Sequence, residues 1–89
     1  MNIQVHLYKD SDCDLCKLMQ QELTDNPPNA DVHIHNIQHS KGVAYELGIK
    51  DFPTIIIMNC DIEITRRTGF ITSETIDSII NDYETESVV

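Results

Sequence analysis

Apolar and polar positions alternate from Asn2 to Lys9, with Ile3, Val5 and Leu7 on one side and Gln4, His6 and Tyr8 on the other. A period of two predicts a first strand. From Asp14 the period lengthens. Leu15, Leu18, Met19 and Leu23 recur at helical spacing with Gln20, Gln21 and Glu22 largely outward, and Asn26-Pro27-Pro28-Asn29 forbids continuation, so a first helix ends near Thr24. Val32, Ile34 and Ile37, interleaved with polar residues, predict a second strand. Ser40 can cap a short helix carrying Val43, Ala44 and Leu47, which Gly48 stops.

After Pro53 the run Ile55-Ile56-Ile57-Met58 has no polar interruption, the mark of a strand covered on both faces. Asn59-Cys60-Asp61 predicts a hairpin turn, and Ile62 and Ile64 alternate with Glu63 and Thr65 in an edge strand. Ile71 and Ile76 can staple a helix start capped by Thr72, with Ile76, Ile79, Ile80 and Tyr83 on its inner face. The order is β-α-β-α-β-β-α. Strands joined through a helix should run parallel and strands joined by a tight turn antiparallel, giving an α/β fold with a four-stranded mixed sheet and three helices on its faces. One domain over 1–84 is expected, with a frayed tail over 85–89.

Composition narrows the function. A net charge of −9 with six Lys and Arg in 89 residues argues against a nucleic-acid surface. No apolar run approaches the roughly 20 residues of a membrane span, and no basic segment followed by an apolar signal opens the chain. The expectation is a cytoplasmic, monomeric protein. Three cysteines do not make a disulfide framework for a secreted mini-protein, so the thiols read as chemistry rather than staples.

That chemistry centres on Cys13-Asp14-Leu15-Cys16, placed where a strand turns into a helix. One helical turn can hold both sulfurs close enough for a small disulfide ring. Unpaired N–H groups and the helix dipole favour a thiolate at the first position, which makes Cys13 the nucleophile and Cys16 the resolving thiol. Asp12, Asp14 and Asp10 oppose that thiolate, while Lys9 and Lys17 partly offset them, so Asp12, Asp14 and Lys17 are read as tuning its pKa. The competing use of the pair is half of a metal site with His33, His35 or His39, but closed zinc patterns need a second close-spaced ligand pair. No metal is expected. Cys60, about 20 Å away along the predicted strand, reads as an incidental free cysteine.

The ordered set of Cys13 and Cys16 after the first strand, Pro53 opening the third and Gly69 before the last helix resembles the thioredoxin and glutaredoxin superfamily in its short form. The resemblance implies a cis peptide at Pro53, with Phe52-Pro53-Thr54 facing Cys13, and a substrate surface built from Phe52, Pro53, Thr54, Gly69 and Phe70. It also implies a thiol-disulfide oxidoreductase acting on protein disulfides, with its own dithiol in place of a bound cofactor. Glutathione-using members carry Gly-Gly-x-Asp before the last helix and a cation three positions before the first cysteine. Here those places hold Thr68-Gly69-Phe70-Ile71 and Asp10, which points instead to resetting by a thioredoxin-reductase-type enzyme. The alternatives are a glutathione-dependent glutaredoxin and a non-catalytic adaptor or metal-binding module. Thioredoxins place a buried acid six residues before the first cysteine, where this chain has Leu7.

Overall fold

The computed structural model describes residues 2–39 and 41–87. The elements are β1 (Ile3–Lys9), α1 (Asp14–Asp25), β2 (Asp31–Asn36), α2 (Lys41–Glu46), β3 (Thr54–Asn59), β4 (Ile62–Thr68) and α3 (Ser73–Ser87), with a 3₁₀ turn over Ile37–His39. They assemble into one sheet ordered β2-β1-β3-β4. β1 runs parallel to β2 and antiparallel to β3, and β3 pairs antiparallel with β4. This is the α/β architecture, a four-stranded mixed sheet with three helices, expected from the pattern.

Strand alternation sorts the sheet into two unlike faces. Ile3, Val5, Leu7, Ile55 and Ile57 form the core with Met19 and Leu23 of α1 and Ile76 and Ile80 of α3. On the other face Arg66, directly opposite Ile56, donates 2.7 Å to the Leu47 carbonyl and so holds the end of α2 against the sheet. Helix α2 has six residues, about 9 Å of cover, too little for four strands. Tyr8 and Ile56 are buried, whereas Gln4, His6, His33 and His35 keep contact with water. The unbroken apolar run Ile55–Met58 of β3 and the half-polar β1 and β2 follow from this uneven cover.

Several local expectations meet their geometry. Thr72 Oγ1 accepts the N–H of Thr75 at 3.2 Å, the capping bond that starts α3, with Ile71 and Ile76 packed on either side of it. Gly48 has φ +71 and its N–H returns to the Tyr45 carbonyl, which closes α2 as a left-handed glycine does. The expected Ser40 cap lies outside the described residues.

Three differences have physical causes. The buried stripe of α1 is Cys16, Met19 and Leu23, so Leu15 and Leu18, at 42% and 59% exposure, turn outward rather than into the core. A helix whose first turn must point Cys16 inward cannot also bury the neighbouring stripe. Opposite Ile57 and Met58 the β4 register skips Ile64, a bulge on an edge strand that leaves Ile62 exposed at the hairpin mouth. Helix α3 continues to Ser87, past the expected end of ordered chain at 84, because no Gly or Pro interrupts it.

Candidate redox-active site

Cys13 is the N-cap of α1, with extended backbone at φ −106 and ψ 111. Its sulfur accepts the N–H of Cys16 at 3.0 Å, and its carbonyl accepts that of Lys17 at 3.2 Å. One of the orphan donors at the helix start, the Cys16 N–H, is therefore satisfied by the Cys13 sulfur, while the Cys13 carbonyl takes the first regular helical bond. Cys13 and Cys16 are joined by a disulfide, with 5.1 Å between their Cα atoms. Their exposures differ sharply: Cys13 is half-buried and Cys16 has none. Only the first sulfur can meet a partner.

Two distant segments complete the site. The Phe52 carbonyl oxygen lies 3.8 Å from the Cys13 sulfur, and the Phe52–Pro53 peptide is cis. Gly69, at φ +86, donates its N–H to the Pro53 carbonyl at 2.9 Å, which ties the loop before α3 to the loop before β3. The side chains of Pro53 and Thr54 are buried, and Thr54 pairs with both Tyr8 and Thr68. Phe70 stands out at 43% exposure.

The charged residues around the dithiol differ in what they hold. Asp10 shapes the loop: its carboxylate accepts the Asp12 N–H and its carbonyl the Cys13 N–H, both at 3.3 Å. Ser11 accepts from Asn36, fastening the loop to β2. Asp12 is exposed, and Asp14 meets Lys17 at 3.9 Å with both side chains in solvent, a pair worth little. Leu7 is wholly buried in the core, so the position of the thioredoxin acid is apolar here. Cys60 is exposed in the β3–β4 turn, at the opposite end of β3 from Pro53. Arg66 is committed to Glu63 through two hydrogen bonds and to the Leu47 carbonyl, while its exposed neighbour Arg67 donates to Thr65 and to the Arg66 carbonyl. Among the described residues no group of three His, Cys, Asp or Glu could hold a metal ion.

The parallel register puts His6 on the same rung as His33, and Tyr8 on that of His35. The rings stack, with centroids 4.8 Å apart for His6–His33 and 4.6 Å for Tyr8–His35. His6 Nδ1 lies 2.9 Å from His35 Nε2, and His6 Nε2 lies 3.2 Å from the Gln4 amide oxygen. An amide oxygen only accepts, so His6 keeps its proton on Nε2 and receives that of His35 on Nδ1. Burial, then His35, then His33 hold the His6 pKa below the ordinary histidine value, and burial followed by His33 does the same for His35. The unfolded chain takes up protons near pH 6.5 that the folded chain refuses, so stability is full above about pH 6.5 and falls as pH drops through the folded values. A lower melting temperature at pH 5.5 than at 7.5 is expected, with a smaller drop in His6→Gln. An unchanged drop in that variant would assign it to other groups. Sequence alone missed this cluster: the spacing of His33 and His35 puts them on one face of their strand, but the register that sets them beside His6 was not visible.

The fold and the capping disulfide define a thioredoxin-like domain with a dithiol site. No family model and no curated protein matches the chain. Solved structures do. Thioredoxin 1 from Thermosipho africanus superposes with a TM-score of 0.75 at 19% identity, over 97% of this chain and 99% of that one. A mutant thioredoxin from Halobacterium salinarum gives 0.81 at 13%, over 92% and 74%. The oxidised mitochondrial thioredoxin 3 of Saccharomyces cerevisiae gives 0.76 at 21%, over 91% and 78%.

Proposed function

We propose that the protein is a cytoplasmic thiol-disulfide oxidoreductase that reduces protein disulfides through Cys13 and Cys16. The observation that carries this reading is the Cys13 sulfur, half-exposed at a helix start and accepting the Cys16 N–H at 3.0 Å. A main-chain donor at that place stabilises a thiolate more than a thiol. In the reduced protein the Cys13 thiolate attacks one sulfur of a substrate disulfide. That S–S bond breaks, and the other substrate sulfur leaves as a thiolate and takes up a proton. The Cys16 sulfur, after losing its proton, attacks Cys13 and expels the second substrate thiolate. The second thiolate is protonated in turn, so two electrons have moved from the dithiol to the substrate, with one proton from Cys16 and one from solvent, and the Cys13–Cys16 disulfide remains for a reductase to open.

The reductant we assign is a thioredoxin-reductase-type flavoprotein rather than glutathione. Asp10 stands where a glutathione carboxylate would need a cation, and its own carboxylate is already used by the Asp12 N–H. Insulin reduction should proceed with NADPH and thioredoxin reductase and be much slower with glutathione and its reductase. Turnover in the glutathione arm alone would overturn the choice of reductant, and turnover in neither would overturn the redox reading. Within this reading, Asp12→Asn should raise the thiolate fraction of reduced Cys13 near neutral pH by roughly two- to fivefold, the effect of removing one exposed charge. Thiolate absorbance against pH measures it; an unchanged curve would make Asp12 a solvated bystander.

A further inference from the structure

The two outward leucines of α1 begin a groove that the dithiol chemistry leaves unexplained. Leu15, between the two cysteines, Leu18 and Phe70 line a cavity of about 440 Å³ that also touches Gln21, Glu22 and Asp25. Glu22 and Asp25 are shared with a second cavity of about 820 Å³, bounded across the groove by Glu74 and Asp77 of α3. The two form one channel along the stripe Leu15, Leu18, Glu22, Asp25, apolar at the dithiol and acidic further on. No Lys, Arg or His lines either cavity.

The needs of the fold explain only part of the acidic end. Glu22 has internal work, accepting the Ser73 N–H at 2.8 Å and Asn26 at 3.1 Å, and Asp77 accepts the Asn29 N–H. Asp25 is different. It is the last residue of α1, where the helix dipole favours a cation, and that turn has no basic residue. Its one hydrogen bond comes from exposed Gln21. A carboxylate set against its own helix, lining the same cavity as Glu74 and open to solvent, is satisfied best by a cation from outside.

We propose that this channel docks a basic-apolar segment of the disulfide-bearing partner protein, an aliphatic or aromatic side chain seated against Leu15, Leu18 and Phe70 and Lys or Arg reaching Asp25 and Glu74. The proposal rests on the thiol-disulfide reading above. Ten residues of helix separate Leu15 from Asp25, about 15 Å, which an extended chain spans in about four or five residues. The basic residues should therefore follow the apolar one by that interval. The channel runs along α1 and the start of α3, away from the Phe52 main chain, so it adds affinity and choice of partner without touching the exchanging sulfurs.

The test uses two synthetic peptides with an intramolecular disulfide beside a leucine, one with two Arg four residues on and one with two Glu. At low salt the reduced protein should react with the Arg peptide on the order of tenfold faster than with the Glu peptide. Asp25→Lys with Glu74→Gln should abolish that preference. Asp61→Lys with Glu86→Gln, exposed positions outside the channel and the same change in net charge, should retain most of it. Leu18→Ser should slow both peptides. Equal loss in the two charge variants, or no preference in the wild type, would overturn the channel. Binding of a disulfide-free Arg peptide to the oxidised protein, read by fluorescence anisotropy, separates the two readings. Binding without turnover leaves the channel and sinks the oxidoreductase; turnover without binding does the reverse.

Discussion

Cys16→Ser should convert the protein from a catalyst into a trap. The exposed Cys13 sulfur still attacks a protein disulfide, and the Cys16 N–H that supports its thiolate is main chain and survives the substitution. What is lost is the second sulfur, fully buried one turn inward, that would expel the substrate. The mixed disulfide then has no internal exit and accumulates. Cys13→Ser should abolish both turnover and trapping, because Cys16 has no exposed surface from which to reach a protein disulfide. Intact mass measured after mixing each reduced variant with oxidised insulin, in a Cys60→Ser background that removes the exposed third thiol, separates the cases. The expected result is an adduct for Cys16→Ser and none for Cys13→Ser. An adduct on Cys13→Ser and none on Cys16→Ser would reverse the roles of the two thiols, and equal yields would make them equivalent.

The fold was legible because its signals are local and agree with one another. Alternation marked β1, an unbroken apolar run marked β3, and Thr72 with Ile71 and Ile76 marked the start of α3, each without knowledge of the rest. The dithiol was legible for the same reason, since its spacing lies within one helical turn. What could not be read depends on rotation and register between elements. Leu15 and Leu18 have the spacing of core residues, and only the packing of Cys16 against the sheet shows that α1 is turned to expose them. Channel and histidine cluster alike come from juxtaposition, of α1 with the loop carrying Phe70 and of β1 with β2. Edge irregularity escaped as well, for the bulge at Ile64 leaves no trace in the alternation of Ile62 and Ile64.

The same reasoning gives the largest expected change in stability. Ile57 sits in the middle of β3 between Val5 and Thr65, wholly buried, in a cluster that joins both central strands to α1 and α3. Ile57→Ala removes three carbons at about 0.8 kcal/mol each and leaves a cavity that close-packed neighbours fill only in part, about 2–5 kcal/mol together. A chain of 89 residues has on the order of 4–13 kcal/mol in all. The variant should keep the wild-type urea slope but unfold at a much lower midpoint, or fail to fold if the total lies at the low end. Ile62→Ala, at 61% exposure in the edge strand, should shift the midpoint little, a change within about 0.5 kcal/mol. Equal shifts for the two would mean that the central strand does not carry the core. A large loss at Ile57 with Cys13 reactivity intact in the folded fraction would show that the sheet supports the site through its fold and not through contact with the sulfurs.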